Sequence, residues 1–344
     1  MWYARDEVRT MKSPRNRTLR LESADVAHRA RKLLHVEAPV ELSAVEDRVV
    51  CGDAIQVLDR LPSRCIDLVC ADPPYNLRKE FNGTPFRPRS LDDYEAWLER
   101  WVGKLSRLLK PTASIYICGD WRSSTAIHRA LDRHFIVRNR ITWEREKGRG
   151  ALSNWKNCAE DIWFATVSDE YHFDVDAVKV KRRVLAPYRN ESGDAKDWAV
   201  ENGERFRLTS PSNLWTDITV PFWSMPENTE HPTQKPEKLI AKLVLASSRA
   251  GDRVLDPFLG SGTTAAVCRK LGRRWIGIEL DPGYCCLAER RVELAAEQPE
   301  IQGYRDGVFW DRNARAASPL PRTNTDHGER DAEQGLLFGK SRGH

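Results

Sequence analysis

Two short stretches carry the residue types from which chemistry could be built. In Ile66-Asp67-Leu68-Val69-Cys70-Ala71-Asp72-Pro73-Pro74-Tyr75 an apolar strand runs into an acid, two prolines and an aromatic ring. Proline has no N–H and a fixed φ, so a strand cannot continue through the pair. The corner therefore offers a carboxylate, an aimed carbonyl and a flat ring at the carboxyl end of a strand, where open α/β sheets bind ligands. That set suits an exocyclic amine, whose lone pair is delocalised into its ring. Two acceptors that take both amino hydrogens draw the nitrogen towards a tetrahedral, nucleophilic geometry. The Asp72 carboxylate can be one acceptor and the Pro73 carbonyl the other. Stacking on Tyr75 is worth about 1–3 kcal/mol to a nucleobase. That offsets much of the few kcal/mol needed to extrude a base from a duplex.

The second stretch, Val254-Leu255-Asp256-Pro257-Phe258-Leu259-Gly260-Ser261-Gly262-Thr263-Thr264, reads as a strand, a glycine turn and a helix start. Gly260 and Gly262 let backbone approach a ligand, and the helix N-terminus offers free N–H groups. It is not a Walker A loop, because no Gly-Lys-Ser/Thr follows. Ala265 stands where a dinucleotide fingerprint would place its third glycine, a substitution that Rossmann loops accept. The next strand ends in Gly277-Ile278-Glu279, an acid where ribose hydroxyls are usually held. The pattern predicts an adenosine-type cofactor, either a dinucleotide or S-adenosylmethionine. Asp256 beside the turn would repel a pyrophosphate but not a zwitterionic amino acid on a sulfonium, which favours S-adenosylmethionine. A sulfonium methyl is already activated, so such a site must supply positioning and electrostatics rather than covalent catalysis.

The elements that must position these groups follow from periodicity. Arg48 to Asp53 reads as a short strand and turn, and Ala54 to Leu61 as a helix, before the strand that ends at Asp72. Tyr94, Trp97, Leu98, Trp101, Leu105 and Leu108 share one face of a helix, with Ser90 as N-cap and Pro111 closing it. Strand 114–119, a helix near 122–133 and strands IVRNRITWER and EDIWFATVS come next. Strands alternating with helices predict an α/β fold with a doubly wound, parallel sheet. From 145 to 230 the rhythm gives way to glycines, aromatics and a basic cluster, Lys179, Lys181, Arg182 and Arg183. It resumes at HPTQKP, with a helix carrying Leu239, Ile240, Leu243 and Val244, then TTAAVCRKL, RWIGIEL and a last helix from Tyr284. Five segments result: a basic extension (1–45), a catalytic half (46–144), an insertion (145–230), a cofactor half (231–300) and a polar tail (301–344). The extension reads as a solvated arm with a helical pattern around Ala24 to Leu34, and the tail beyond 311 as mobile.

Of 344 residues, 40% are hydrophobic, no apolar run reaches membrane-span length, and the start has no signal-peptide pattern. A soluble, cytoplasmic protein without membrane association is expected. The net charge of +5 and pI of about 8.7 are compatible with a polyanionic partner. The 8 cysteines form no CxxC pair, so reduced, mostly buried thiols and no metal site are expected. The basic cluster fits an exposed strand edge as well as it fits phosphate contacts. The tryptophans at 155, 163, 198, 215 and 223 read as core rather than as base-stacking groups.

With both motifs identified, the chain resembles the amino-directed DNA methyltransferases of restriction–modification systems. Within them it resembles the permuted β class, in which DPPY precedes FxGxG. Here DPPYNL lies at 72–77 and DPFLGSGTT at 256–264, and CGDAIQVLDRLP, HPTQKP and GIELD also match. The likeness spans roughly residues 47 to 295. It implies a Rossmann-like, doubly wound, mostly parallel sheet of the S-adenosylmethionine-dependent methyltransferase fold, with 145–230 as target-recognition region. It implies methyl transfer to adenine N6 in double-stranded DNA through a flipped base. Asp72, Pro73, Pro74 and Tyr75 would form the catalytic pocket. Phe258, Gly260, Gly262 and Thr263 would line the cofactor, with Asp256 near its amino acid moiety and Glu279 on its ribose. Asp53 would sit near the adenine edge and Lys235 near the methionine carboxylate.

Other readings stay open at this point. Cytosine-N4 enzymes share the chemistry but more often carry Ser where Asp72 stands. Enzymes that methylate a protein glutamine amide place the cofactor loop first. A non-catalytic DNA-binding protein with this fold should have lost the acid or a glycine, and an NAD-dependent oxidoreductase is the outsider. The implied partners are double-stranded DNA and a cognate restriction endonuclease, with the chain acting as monomer or homodimer.

Overall fold

The structure, a computed structural model, describes residues 14–312 apart from 78, 82–83, 146–152 and 186. Its centre is an eight-stranded sheet. In chain order the strands are β1 (Arg48–Cys51), β2 (Ile66–Ala71), β3 (Leu109–Gly119), β4 (Ile136–Glu144), β5 (Ala159–Thr166), β6 (Leu214–Trp215), β7 (Arg253–Asp256) and β8 (Arg274–Glu279). In space they run β1-β8-β7-β2-β3-β5-β4-β6. From β1 to β3 every pair is parallel, β5 is antiparallel to both β3 and β4, and β6 is parallel to β4. The sheet is therefore mostly rather than wholly parallel. β4 and β5 are consecutive strands joined by a short connection, whose described residues form no helix, and they pair as antiparallel neighbours.

Six helices cover the two faces: α1 (Ala54–Arg60), α2 (Leu91–Leu108), α3 (Ser124–Asp132), α4 (Glu237–Ser247), α5 (Thr263–Leu271) and α6 (Pro282–Glu297). Along β2, Leu68 and Cys70 join a core with α4, α5 and α6, while Val69 and Ala71 join one with α1, α2 and α3. That two-residue alternation into two separate cores is what a strand covered on both sides produces. The α2 stripe is buried as its spacing predicts, and Ser90 caps it, its Oγ accepting the Asp93 N–H at 3.0 Å. Pro111 does not end α2: the helix stops at Leu108 and Pro111 lies within β3.

The feature that builds the site is the pairing of β2 with β7, in register Val254↔Leu68 and Leu255↔Val69. It sets the carboxyl end of an early strand beside that of a late one, so Asp72 and Asp256 leave the sheet at the same edge.

The segment 145–230 is not wholly an insertion, because β5 and β6 within it belong to the central sheet. Its remainder builds a second, five-stranded sheet from Val180–Arg183, Ala199–Glu201 and Glu204–Thr209, completed by Tyr304–Arg305 and Val308–Trp310 from the segment read as tail. The tail beyond 312 lies outside the described residues. The basic cluster sits on this sheet with acidic partners: Lys179 on Asp176, Lys181 on Glu201, Arg182 on Asp311 and Arg183 on Glu204. Trp215 is core, whereas Trp155 is 94% and Trp223 49% exposed.

The extension is docked over its described part rather than solvated. Arg17 and Leu19 donate their N–H groups to the Trp223 and Asn228 carbonyls. Helix Ser23–Ala30 lays Val26 and Ala30 on the core, and Arg29 grips Glu293 of α6 at 2.7 and 2.8 Å. Among the described residues no helix is long and apolar enough to cross a membrane.

Candidate active site

A cavity of about 480 Å³ opens at the carboxyl ends of β2, β7 and β8. Asp72, Pro73, Pro74 and Tyr75 line one side; Asp53, Asp256, Phe258, Gly260, Thr263 and Glu279 line the other, with Lys235 between. Eleven of the twelve residues singled out in the sequence thus share one wall system. The twelfth, Gly262, does not line it. Gly262 has φ +82°, and a Cβ there would come within 2.9 Å of the Ala288 Cα, so this glycine lets α5 approach α6.

On the cofactor side the acids hold the turn. Asp256 is buried; its Oδ1 accepts the Phe258 N–H at 3.0 Å and its Oδ2 the Thr264 hydroxyl at 2.6 Å. Burial pushes its pKa up to about 7 despite those hydrogen bonds. Glu279 accepts the Gly260 N–H at 2.8 Å and the Asp281 N–H at 2.9 Å, and burial raises its pKa as well. Asp53 caps α1 through Oδ1, which accepts the Ile55 and Gln56 N–H groups, leaving Oδ2 for another donor. Phe258 is clasped by Trp101 and Trp97, with centroids 5.0 and 5.8 Å away.

Beneath the turn lies a network that sequence patterns did not announce. Arg291 of α6 is buried and donates to the hydroxyls of Thr263 (2.8 Å) and Ser261 (3.3 Å) and to Glu237 (3.1 Å). Glu227 accepts the Glu237 N–H at 2.7 Å, and burial together with the Glu237 carboxylate pushes its pKa up to about 7.

The catalytic side is a compact lattice of charges. Lys235 Nζ lies 2.5 Å from Asp72 Oδ2 and 3.4 Å from Glu160 Oε2, and 5.2 Å from the centre of the Tyr75 ring. Glu160 also accepts the Tyr75 hydroxyl at 3.0 Å, and Arg145 pairs with its other oxygen. Burial opposes both charges at the centre of this lattice. The neighbouring Asp72 and Glu160 nonetheless hold the Lys235 pKa above its ordinary value, and Lys235 and Arg145 hold Glu160 below its own. Burial, then Asp72 and Glu160, keep Tyr75 a phenol far beyond neutral pH. Asp72 Oδ1 is buried and has no hydrogen-bond partner among the described residues. Lys235 was expected near the carboxylate of the cofactor; among the described residues its ammonium lies on Asp72 and Glu160.

The donor set fits S-adenosylmethionine. The turn is a cradle that a side chain would spoil, since a Cβ on Gly260 (φ +54°) would meet the His231 ring at 3.1 Å. Carboxylates of Asp53, Asp256, Glu279 and Asp281 face this half of the cavity, a field that attracts a sulfonium and repels a pyrophosphate.

Known proteins resemble this chain over most of its length. The family described as DNA methylase matches residues 66–290. The type II methyltransferase M.HpaI of Haemophilus parainfluenzae is 32% identical over 252 residues, covering 72% of this chain and 75% of the relative. The DNA adenine methyltransferase YhdJ of Escherichia coli (strain K12) is 34% identical over 256 residues, 72% of this chain and 83% of the relative. Among solved structures, the PvuII DNA methyltransferase (cytosine-N4-specific) superposes with a TM-score of 0.50 at 18% identity, covering 77% of this chain and 94% of that one. At that identity the likeness is one of fold.

Proposed function

The chain belongs to the DNA methylase family, and from that premise we propose that it transfers the methyl group of S-adenosylmethionine to adenine N6 in double-stranded DNA. The observation that carries this reading is the single cavity lined by both the Asp72–Tyr75 corner and the Asp256–Thr263 turn. When bound, the cofactor supplies a methyl group already activated by its positive sulfur. Phe258 offers an apolar face to the adenosine, Glu279 and Asp53 offer carboxylate acceptors, and Asp256 balances the cationic amino acid end. In the other half, the Tyr75 ring stacks on the flipped base. Asp72 Oδ1 accepts one amino hydrogen and the Pro73 carbonyl the other, which localises the lone pair for an in-line attack. The surplus amino proton leaves towards Asp72 Oδ1. No residue needs to become covalently attached.

The acid at position 72, together with a relative named as a DNA adenine methyltransferase, supports adenine over cytosine. We read the part of 145–230 that lies outside the central sheet as the target-recognition region. The chain would act in the cytoplasm as the modification partner of a restriction endonuclease, a reading that relatives named as type II methyltransferases support. To test the function, duplex DNA methylated by the purified protein is digested to nucleosides. N6-methyl-2′-deoxyadenosine is expected, and Asp72→Ala should abolish it while cofactor still binds. N4-methyl-2′-deoxycytidine as the product, or full activity of Asp72→Ala, would refute the assignment.

A further inference from the structure

The amine-methylating pocket leaves one buried group without a task. Glu160 is 5% exposed and projects from β5, across from Trp143 of β4. Its carboxylate gathers three donors: the Tyr75 phenol and the Lys235 ammonium on Oε2, and the Arg145 guanidinium on Oε1. Each donor belongs to a different part of the site. Tyr75 is the stacking face, Lys235 the partner of Asp72, and Arg145 the residue that follows β4.

We propose that Glu160 is the positioning residue of the catalytic corner: it holds the Lys235 ammonium to the Oδ2 side of Asp72, leaving Oδ1 without a protein donor and so available as the acceptor for the substrate amine, and it tethers the Tyr75 ring through its hydroxyl. The inference rests on the function proposed above. Its geometric basis is an asymmetry. An ammonium has three donors and no preferred plane, so beside an isolated carboxylate it is free to settle between the two oxygens. Here Lys235 Nζ is 2.5 Å from Oδ2, while Oδ1 has no partner among the described residues. The second anchor of that ammonium is Glu160, 3.4 Å away. Removing the negative charge of Glu160 frees Lys235 to occupy both oxygens of Asp72, and the acceptor needed by the amine is then lost. The Tyr75 hydroxyl uses the same Glu160 oxygen, so a single atom sets both the ring and the ammonium.

The alternative is that Glu160 only fills space. Buried ion pairs often contribute little net stability, so burial alone does not separate the two roles. Glu160→Gln keeps the shape but removes the charge, and its one carbonyl oxygen cannot serve Arg145 on one side and Tyr75 with Lys235 on the other, so the Tyr75 tether is weakened with it. Tyr75→Phe keeps the ring but removes its tether. Full-length single and double variants are compared by three measurements: single-turnover methylation of duplex DNA at saturating cofactor, cofactor affinity by calorimetry, and 2-aminopurine fluorescence at the target position as a readout of base placement. Glu160→Gln should slow methyl transfer by roughly 30-fold or more with cofactor Kd within about 3-fold of wild type, a loss in kcat rather than in binding. Tyr75→Phe should cost roughly 3–10-fold, and the double variant should be within about 2-fold of Glu160→Gln alone, because both act through one atom. The 2-aminopurine signal of both variants should differ from that of wild type.

Transfer by Glu160→Gln at the wild-type rate, or multiplicative losses in the double variant, would overturn the inference and leave the function intact. Failure of the wild-type protein to methylate any duplex would instead strike the function. If Glu160→Gln does not fold, Glu160→Asp and Tyr75→Phe carry the same test. The shortened acid cannot keep Lys235 and Tyr75 together, so slowed transfer with undiminished cofactor affinity is expected, and wild-type rates in both variants would overturn the proposal.

Discussion

Cofactor binding should be linked to the protonation of Asp256. In the free protein this carboxyl is buried, with a pKa near 7 against an ordinary value of 3.8. A cationic ligand beside it favours the charged form, so binding must expel whatever proton is there. If the bound pKa returns to the ordinary range, the apparent Kd scales as one plus the ratio of protonated to ionised Asp256. That factor is about 33 at pH 5.5 and about 2 at pH 7.0, so affinity should rise roughly 15-fold across the interval. The interval stays below the titration of the cofactor's own α-amine, near about 7.7–8.0. Calorimetry in buffers of differing ionisation enthalpy should show about 0.9 proton released per site at pH 6 and about 0.5 at pH 7. Asp256→Asn, which keeps an acceptor for the Phe258 N–H, should flatten the dependence. His231 and Glu279 also line the cavity, but they remain in the variant, so the difference between the two proteins isolates Asp256. Folding stability responds to pH with the opposite sign. A raised carboxyl pKa lends stability that is fully present below about pH 4 and is lost as pH rises through 7, by up to about 4 kcal/mol. A wild-type Kd that stays constant from pH 5.5 to 7.0, or an equal slope in Asp256→Asn, would refute the reasoning.

The two glycines of the turn should separate by assay. Gly262→Ala forces a Cβ to within 2.8 Å of the Ala288 Cβ in a left-handed conformation, so thermal or urea unfolding should show a loss of roughly 2–4 kcal/mol. Gly260→Ala also takes a left-handed φ but meets only the edge of the His231 ring, so it should weaken cofactor binding with a smaller loss of stability than Gly262→Ala; the reverse pattern would contradict the assignment. Arg291→Lys keeps the charge but cannot span Ser261, Thr263 and Glu237 together, so cofactor Kd should rise roughly 5–10-fold in a folded protein, and an unchanged Kd would remove Arg291 from the support of the turn.

The parts of the site legible in the sequence are those whose physics is local. Two prolines stop a strand wherever they occur, and a Gly-Ser-Gly turn between a strand and a helix needs no distant residue to be recognised. Glu160 could be noticed only as an acid inside the apolar run AEDIWFAT, and its three partners lie 15 to 85 residues away. Nothing in HPTQKP says whether its lysine faces the cofactor or Asp72; that depends on β2 and α4 meeting across the sheet. Gly262 was rightly singled out for its backbone freedom, but the reason lies in the closeness of two helices, which no spacing encodes. The direction of β5 was recoverable, because IVRNRITWE and AEDIWFAT follow one another with only a short, glycine-containing stretch between them. The docking of the extension had a weaker signal, Leu21, Val26 and Ala30 spaced along one side of a short segment otherwise rich in charge.

The charges around the cavity are segregated, and the segregation matches the chemistry of the proposed reaction. Among its described lining residues the lysine and arginine side chains are Lys235 and Arg145, both gathered around Glu160 on the catalytic side. The carboxylates of Asp53, Asp256, Glu279 and Asp281 stand on the other side. One half is thus balanced, suited to a neutral base whose amine must be polarised by a single free acceptor. The other half is negative, suited to a cationic donor. Methyl transfer removes the positive charge of the sulfonium, so the attraction that draws the donor in is absent for the thioether left behind. The same carboxylates that favour binding before the reaction therefore favour release after it, with no movement of the protein required.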